Sequence, residues 1–137
     1  MASHGFSVVQ HYLGLDTAWR AEFSHKTGGR VIGVNAEMDA LPGIGHACGH
    51  NLIAIAGLAV AVGIKIAITQ HDIPGTVVLL GTPGNKPSGT SRSSLTPVIP
   101  AEENGGGKVT LLERGAYTGM DACLMYALLN ISLNKAP

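Results

Sequence analysis

Short apolar runs alternate with turn-forming segments along the chain, and this pattern predicts an α/β fold. Residues 17–25 and 30–38 have the composition of strands, and the Lys-Thr-Gly-Gly turn between them favours a hairpin. Residues 50–69 are rich in alanine, leucine and isoleucine and contain no proline, which predicts a helix that is apolar nearly all round and therefore buried. Residues 75–82, GTVVLLGT, form a continuous apolar run, as expected of a strand covered on both faces.

A strand, a helix and a strand of these lengths predict a βαβ unit, and therefore a parallel strand pair. Residues 83–100 are rich in proline and serine and predict a loop or a disordered segment. A further helix is expected over residues 109–114, with Asn104 as its cap and Gly115 at its end. A last strand is expected over residues 121–126.

Composition and charge exclude several classes of partner. Nine basic residues balance nine acidic ones, so there is no electrostatic reason to expect nucleic acid or an anionic membrane as a partner. The amino-terminal residues show no signal-peptide pattern, and the longest apolar run, residues 52–64, is shorter than the roughly 18 to 20 residues that span a bilayer. The position of Cys48 beside histidines favours a reducing compartment, so we expect a cytoplasmic protein.

The densest group of chemically active residues is EMDALPGIGHACGH, residues 37–50, which lies between a predicted strand and a predicted helix. Cys48 and His50 are separated by one glycine, so a thiolate and an imidazole, both suited to Zn²⁺, can converge on one ion. Asp39 is a candidate for the carboxylate that orients a ligand histidine from behind. The alternative is a buried structural cysteine with loop histidines, but His46, Cys48 and His50 beside two carboxylates favour a metal.

A second candidate site is the pair Glu102-Glu103. One carboxylate of such a pair can bind a metal while its neighbour takes a proton from metal-bound water. A Glu-Glu pair alone is more typical of a solvated surface. This pair is a candidate site because it lies between an apolar strand and a glycine run.

Other residues are not expected to take part in chemistry. Lys108 is followed by Val109, which excludes the phosphate-loop pattern. Cys123 is expected to be a buried apolar residue. The other histidines are expected to be surface or capping residues: His4, His11, His25 and His71.

Two segments carry a resemblance to a known family. Residues 35–51, NAEMDALPGIGHACGHN, closely resemble the metal-site segment of the amidohydrolase branch of the M20 peptidase family. Residues 100–108, PAEENGGGK, resemble the second motif of that branch, and the combination is most similar to its dipeptidase-like members. The resemblance implies a three-layer α/β/α catalytic domain with a central mixed sheet, of which this chain would be the N-terminal part.

The resemblance also implies a chemistry: attack of metal-activated water on the amide bond of a dipeptide or an N-acyl amino acid. Cys48, His50 and Glu103 would be metal ligands, and Glu102 and Asp39 would be the catalytic residues. The expected cofactor is one or two divalent ions, Zn²⁺ first, with Mn²⁺ or Co²⁺ as alternatives. Members of the family are homodimers, a state not expected for this chain.

The chain departs from the family pattern in three places. Glu37 stands where many distant relatives have a histidine, so it is not counted as a ligand. Residues 84–100 interrupt the usual passage from Gly-Thr-Pro to Ala-Glu-Glu, and their codons can contain splice-site sequences that keep the reading frame, so we hypothesise a retained intron. A genuine surface loop is the alternative, since loop insertions cost little. After residues 121–125 the family pattern predicts His-Pro, and this chain has other residues there.

We therefore expect residues 1–137 to be a partial catalytic domain without the dimerisation domain and the C-terminal half. Such a chain should bind metal weakly and hydrolyse little. The alternative function is a non-catalytic zinc-binding or interaction fragment of the same fold. A third hypothesis, a small membrane-associated protein, rests only on the apolar helix.

Overall fold

The structure is a computed structural model that describes residues 1–40, 45–46, 49–83 and 107–126. Its core is a five-stranded mixed sheet in the order β1-β2-β4-β3-β5. The strands are β1 (Ser7–Gln10), β2 (Trp19–His25), β3 (Arg30–Glu37), β4 (Gly75–Thr82) and β5 (Ala122–Met125), and the helices are α1 (His50–Gln70) and α2 (Gly107–Glu113). Two short 3₁₀ turns, Ala2–His4 and Tyr12–Gly14, complete the described elements.

Strand β4 is the centre of the sheet. Its side chains alternate between the two faces, and both faces are fully buried: Val77 and Leu79 pack on one side, Val78 and Leu80 on the other. β3 runs parallel to β4, β5 runs parallel to β3, and β2 runs antiparallel to β4. The predicted doubly covered strand, the parallel βαβ unit and the α/β fold class are therefore confirmed.

The predicted hairpin between residues 17–25 and 30–38 is wrong, because β4 lies between β2 and β3. Gly75, the first residue of β4, pairs with His25 on one side and with Arg30 on the other. The connecting turn therefore crosses over the start of β4. Gly29 makes this crossing possible, since it has a φ of +81° and any Cβ there would overlap the carbonyl of Pro74. The doubly apolar β4 takes the central position because only there are both of its faces covered.

The two faces of the sheet carry different layers. On one face α1 packs against β3, with Val34 and Ala36 in the same cluster as Ala54 and Ala61. On the other face Leu111 of α2 lies in a second cluster with Val78, Leu80 and Ala116 from the following turn. The side chains of β3 therefore point alternately towards α1 and towards the α2 layer.

Helix α1 is found where it was predicted, but the expectation that it is buried all round is wrong. Among the described residues it is the one helix long and apolar enough to cross a membrane, and 22% of its apolar window is buried. Only a stripe that includes Ile53, Gly57 and Ala61 faces the sheet, and Leu52 and Ile55 are more than half exposed. A single sheet face can cover only one side of a helix. Length and composition alone do not distinguish such a helix from a core helix.

The remaining elements agree only in part with those predicted from the sequence. α2 begins two residues before the predicted helix, and Gly115 ends it with a φ of +78°, whereas Asn104 lies outside the described residues. β5 confirms the last predicted strand. β1 was not predicted, because its four residues are all exposed and show no alternation of apolar and polar positions. The hypothesised insert, residues 84–100, also lies outside the described residues and stays a prediction.

Candidate metal centre

Three parts of the chain bring side chains to the carboxyl edge of β3. Glu37 is the last residue of β3, Asp39 lies two positions further on, and His50 opens α1. The end of the strand and the beginning of the helix meet because they belong to one βαβ unit. Each of these three residues offers a ligand atom within 4.8 Å of the others.

His50 lies between the two carboxylates. Its Nδ1 is 2.9 Å from Oδ2 of Asp39, and its Nε2 is 3.4 Å from Oε2 of Glu37. The side chains of His50, Asp39 and Glu37 are 14%, 13% and 8% exposed, respectively. A histidine whose Nδ1–H is held by a carboxylate presents Nε2 to a metal in a fixed orientation. Asp39 therefore lies at a distance from Nδ1 that an orienting carboxylate requires, and its role stays a prediction.

A lysine completes the cluster. The ammonium of Lys108 forms an ion pair with Oε1 of Glu37, and its side chain is 43% exposed. Lys108 reaches this edge because α2 begins against the end of β4: a Cβ on Gly107 would overlap the carbonyl oxygen of Pro83. Thr82, just before Pro83, is the register partner of Glu37. In the sequence analysis Lys108 served only to exclude a phosphate loop, and no local sequence pattern predicts its ion pair with Glu37.

A partly buried polar contact lies on β3 next to the cluster. Asn35 projects from the same side of β3 as Glu37, and its Oδ1 accepts a hydrogen bond of 3.2 Å from the Tyr117 hydroxyl. Burial raises the pKa of Tyr117 above its ordinary value, so the phenol stays a neutral donor. Burial likewise raises the pKa of the Cys123 thiol, which fits an unreactive packing residue beside Gly33.

The structure brings together only part of the predicted site. Cys48, Glu102 and Glu103 lie outside the described residues, so their roles stay predictions. His46 is described, and it does not join the cluster. His25 pairs with Asp72 at a distance of 3.0 Å.

The donor set of the cluster fits a divalent metal ion. One imidazole nitrogen and carboxylate oxygens are ligands that Zn²⁺, Mn²⁺ and Co²⁺ accept, and a purely acidic cluster would not favour these ions over Ca²⁺ or Mg²⁺. The low exposure of Glu37, Asp39 and His50 also limits competition from bulk water. The arrangement therefore has both the chemistry and the burial of a metal centre.

A mixed α/β sheet with an imidazole–carboxylate cluster at the carboxyl ends of its strands has its candidate ligands where open α/β folds place their binding sites. No protein-family model matches the chain. The chain is 41% identical over 125 residues to Xaa-Arg dipeptidase of Mus musculus, and 41% identical over 129 residues to that of Homo sapiens. Each alignment covers 86% of this chain and about a quarter of the relative. The chain is also 29% identical over 143 residues to one of the subunits of p-aminobenzoyl-glutamate hydrolase of Escherichia coli K12, covering 92% of this chain and 26% of that protein.

Solved structures show the same fold. The YXEP protein of Bacillus subtilis, described as a dinuclear metal binding peptidase from the M20 family, aligns with a TM-score of 0.60 and 22% identity over 89% of this chain and 32% of its own. A putative aminohydrolase from methicillin-resistant Staphylococcus aureus aligns with a TM-score of 0.58 and 21% identity, over 86% of this chain and 29% of its own. The chain is thus a homologue of the Xaa-Arg dipeptidases with the fold of M20 family peptidases, which confirms the resemblance of its motifs. It spans about a quarter of the length of these curated relatives.

Proposed function

We propose that this chain forms the metal-binding part of a hydrolase that cleaves the amide bond of a dipeptide or an N-acyl amino acid. The observation that carries the proposal is the position of His50 between the carboxylates of Glu37 and Asp39 at the carboxyl edge of β3. The relatives named as dipeptidases and hydrolases support the reaction class. Zn²⁺ is the first choice of metal, with Mn²⁺ and Co²⁺ as alternatives.

Each residue of the cluster has a distinct part in this proposal. Oδ2 of Asp39, 2.9 Å from Nδ1 of His50, orients the imidazole, so that Nε2 faces the ion together with the carboxylate of Glu37, which the sequence analysis did not count as a ligand. A metal ion bound at this site would lower the pKa of the water molecule that attacks the amide. The predicted further ligands are Cys48 and Glu103, and Glu102 is the predicted base that accepts the water's proton.

The substrate class follows from what the relatives' names share. An Xaa-Arg dipeptide and p-aminobenzoyl-glutamate both contain an amide bond whose amine side is an amino acid. We therefore propose an amide substrate with an amino-acid leaving group, arginine first because of the higher identity to the Xaa-Arg dipeptidases.

The test is metal binding by the purified chain and by two histidine variants. Titration with Zn²⁺ should give saturable binding that His50→Ala abolishes or weakens by about a hundredfold, the loss seen when a metal ligand or its support is removed. His25→Ala is the matched control, because His25 also pairs with a carboxylate but lies outside the cluster. Equal binding by all three proteins would exclude His50 as a ligand.

A non-catalytic metal-binding fragment is the second candidate function. It differs from the first in turnover: such a fragment binds the ion and does not cleave an amide bond. We expect the chain to bind metal weakly and to release little arginine from an Xaa-Arg dipeptide. Robust zinc-dependent hydrolysis by the purified chain would exclude the non-catalytic alternative, and metal binding with no hydrolysis would favour it.

Two further expectations remain proposals. The insert at residues 84–100 is proposed to be a retained intron, and sequencing the transcript and the genomic locus decides this: a mature message that always contains the segment contradicts it. A cytoplasmic location is proposed on the basis of the cysteine chemistry predicted at Cys48, and microscopy of the tagged chain tests it.

A further inference from the structure

Lys108 is the positive charge inside a cluster that is otherwise suited to a metal cation. Its ammonium forms an ion pair with Oε1 of Glu37, while Oε2 of the same carboxylate faces Nε2 of His50. One carboxylate therefore serves both the lysine and the candidate metal centre. The Glu37 side chain is 8% exposed, so its charge needs a partner in the folded protein.

The backbone holds the base of the lysine side chain in place, but its tip can move. Gly107 contacts Pro83 too closely for any side chain, and Leu111 of α2 is fully buried, so the start of the helix is fixed against the sheet. The Lys108 side chain has a flexible four-carbon stem and is 43% exposed. It can reach water without any change in the backbone.

We propose that Lys108 is a displaceable internal counter-ion of the metal centre, which neutralises Glu37 before the ion arrives and leaves when the ion binds. The inference rests on the proposed function, since it requires a metal at His50 and Glu37, with Asp39 orienting the histidine. An ammonium and a divalent cation on the same carboxylate repel each other, and the 43% exposure of the Lys108 side chain gives its ammonium a route into water. Metal binding therefore has to displace Lys108, and the affinity for the ion is lower than the ligands alone would give.

The first test compares the Zn²⁺ and Mn²⁺ affinities of the wild type with those of Lys108→Met and Lys108→Arg. Methionine keeps much of the apolar stem and removes the charge, so its affinity should rise by about tenfold, which is typical of coupling between two binding events. Arginine keeps the charge and should show no increase. Lys26→Met is the matched control, since Lys26 also pairs with a carboxylate but lies outside the cluster.

The second test needs no variant and therefore holds even if Lys108→Met does not fold. Brief labelling of the wild type with an amine-reactive acetylating reagent, read by mass spectrometry, should modify Lys108 faster when Zn²⁺ is present. The labelling of Lys26 should not change. A lysine that only stabilises the fold would show the same rate with and without metal.

The outcomes separate this inference from the proposed function. Unchanged or weaker affinity in Lys108→Met, with binding in the wild type, overturns the inference and leaves the metal centre intact. Binding by Lys108→Met alone supports the inference. Absence of binding in both proteins overturns the inference and the proposed function together. If Lys108→Met does not fold, an unchanged labelling rate on adding Zn²⁺ overturns the inference.

Discussion

The chain carries two clusters of similar composition at opposite ends of β4. The carboxyl-edge cluster consists of Glu37, Asp39, His50 and Lys108, and the amino-edge cluster consists of His25, Lys26 and Asp72. In both clusters a histidine and a lysine contact the same carboxylate. The types of residue therefore do not distinguish a candidate metal centre from an ordinary ion pair.

The environment of the carboxylate makes the difference. Asp72 is 67% exposed and Lys26 is 50% exposed, so the amino-edge cluster is largely solvated. Glu37 is 8% exposed, and a second carboxylate, that of Asp39, lies 2.9 Å from the other nitrogen of the same histidine. A buried imidazole between two carboxylates attracts a cation, whereas water screens an exposed ion pair. Changing one residue in each cluster tests this difference.

The largest effect is expected from removing the lysine of each cluster in metal-free protein. Lys108→Met should lower the free energy of unfolding by about 2–3 kcal/mol, because it leaves the Glu37 carboxylate buried without its ion pair; the partial exposure of Lys108 keeps the loss below that of a fully buried pair. Lys26→Met should leave the unfolding midpoint nearly unchanged, because its partner is exposed. Urea unfolding followed by circular dichroism measures both, and equal losses would erase the distinction between the clusters.

A smaller effect is expected from the glycine that positions Lys108. Gly107→Ala should lower the free energy of unfolding by about 1–2 kcal/mol, because its Cβ would overlap the carbonyl of Pro83. Gly63→Ala in α1 is the control: no atom lies within 4 Å of its Cβ position, so alanine should stabilise the helix by about 0.5–1 kcal/mol. Thermal unfolding of both variants checks this, and a neutral Gly107→Ala would contradict the close contact.

The smallest effect is expected from the pH dependence of the amino-edge cluster. The hydrogen bond from Lys26, and then that from His25, lower the pKa of Asp72 below 3.8 in the folded chain. The stabilisation from this group is therefore present above pH 3.8 and is lost as the pH falls through the folded pKa. Asp72→Asn should make the loss of stability slightly less steep in that range. Unfolding measured at several acidic pH values tests this, and an Asp72 carboxyl that titrates at or above 3.8 by NMR would contradict it.

The sequence predicted those elements whose apolar residues follow one another directly along the chain. β4 was found because every residue from Val77 to Leu80 is apolar, and α1 because its long apolar run lacks proline. The strand order was not accessible in the same way. The turn before Arg30 is a plausible hairpin turn, and only the competition of β4 for the central position excludes the hairpin.

The candidate site shows the same limit. Asp39 and His50 stand in one motif, and the structure places their side chains 2.9 Å apart, while the roles predicted for them stay predictions. The neighbour that sequence reasoning missed, Lys108, is distant along the chain and arrives through a backbone contact at Pro83. Such a contact depends on packing between elements, which no local pattern of residue types encodes.

The alternation of side chains along β3 ties the chemistry of this chain to the fidelity of its folding. Ala36 points to α1 and Glu37 points away from it, so a shift of β3 by one position against β4 can bring Glu37 to the place of Ala36 and Met38 to the place of Glu37. A carboxylate would then lie beneath the helix, and a thioether side chain would take the place of the Glu37 carboxylate. Misregistered chains would thus be both unstable and unable to bind an ion, so a metal added during refolding would select the chains in which β3 has the native alignment.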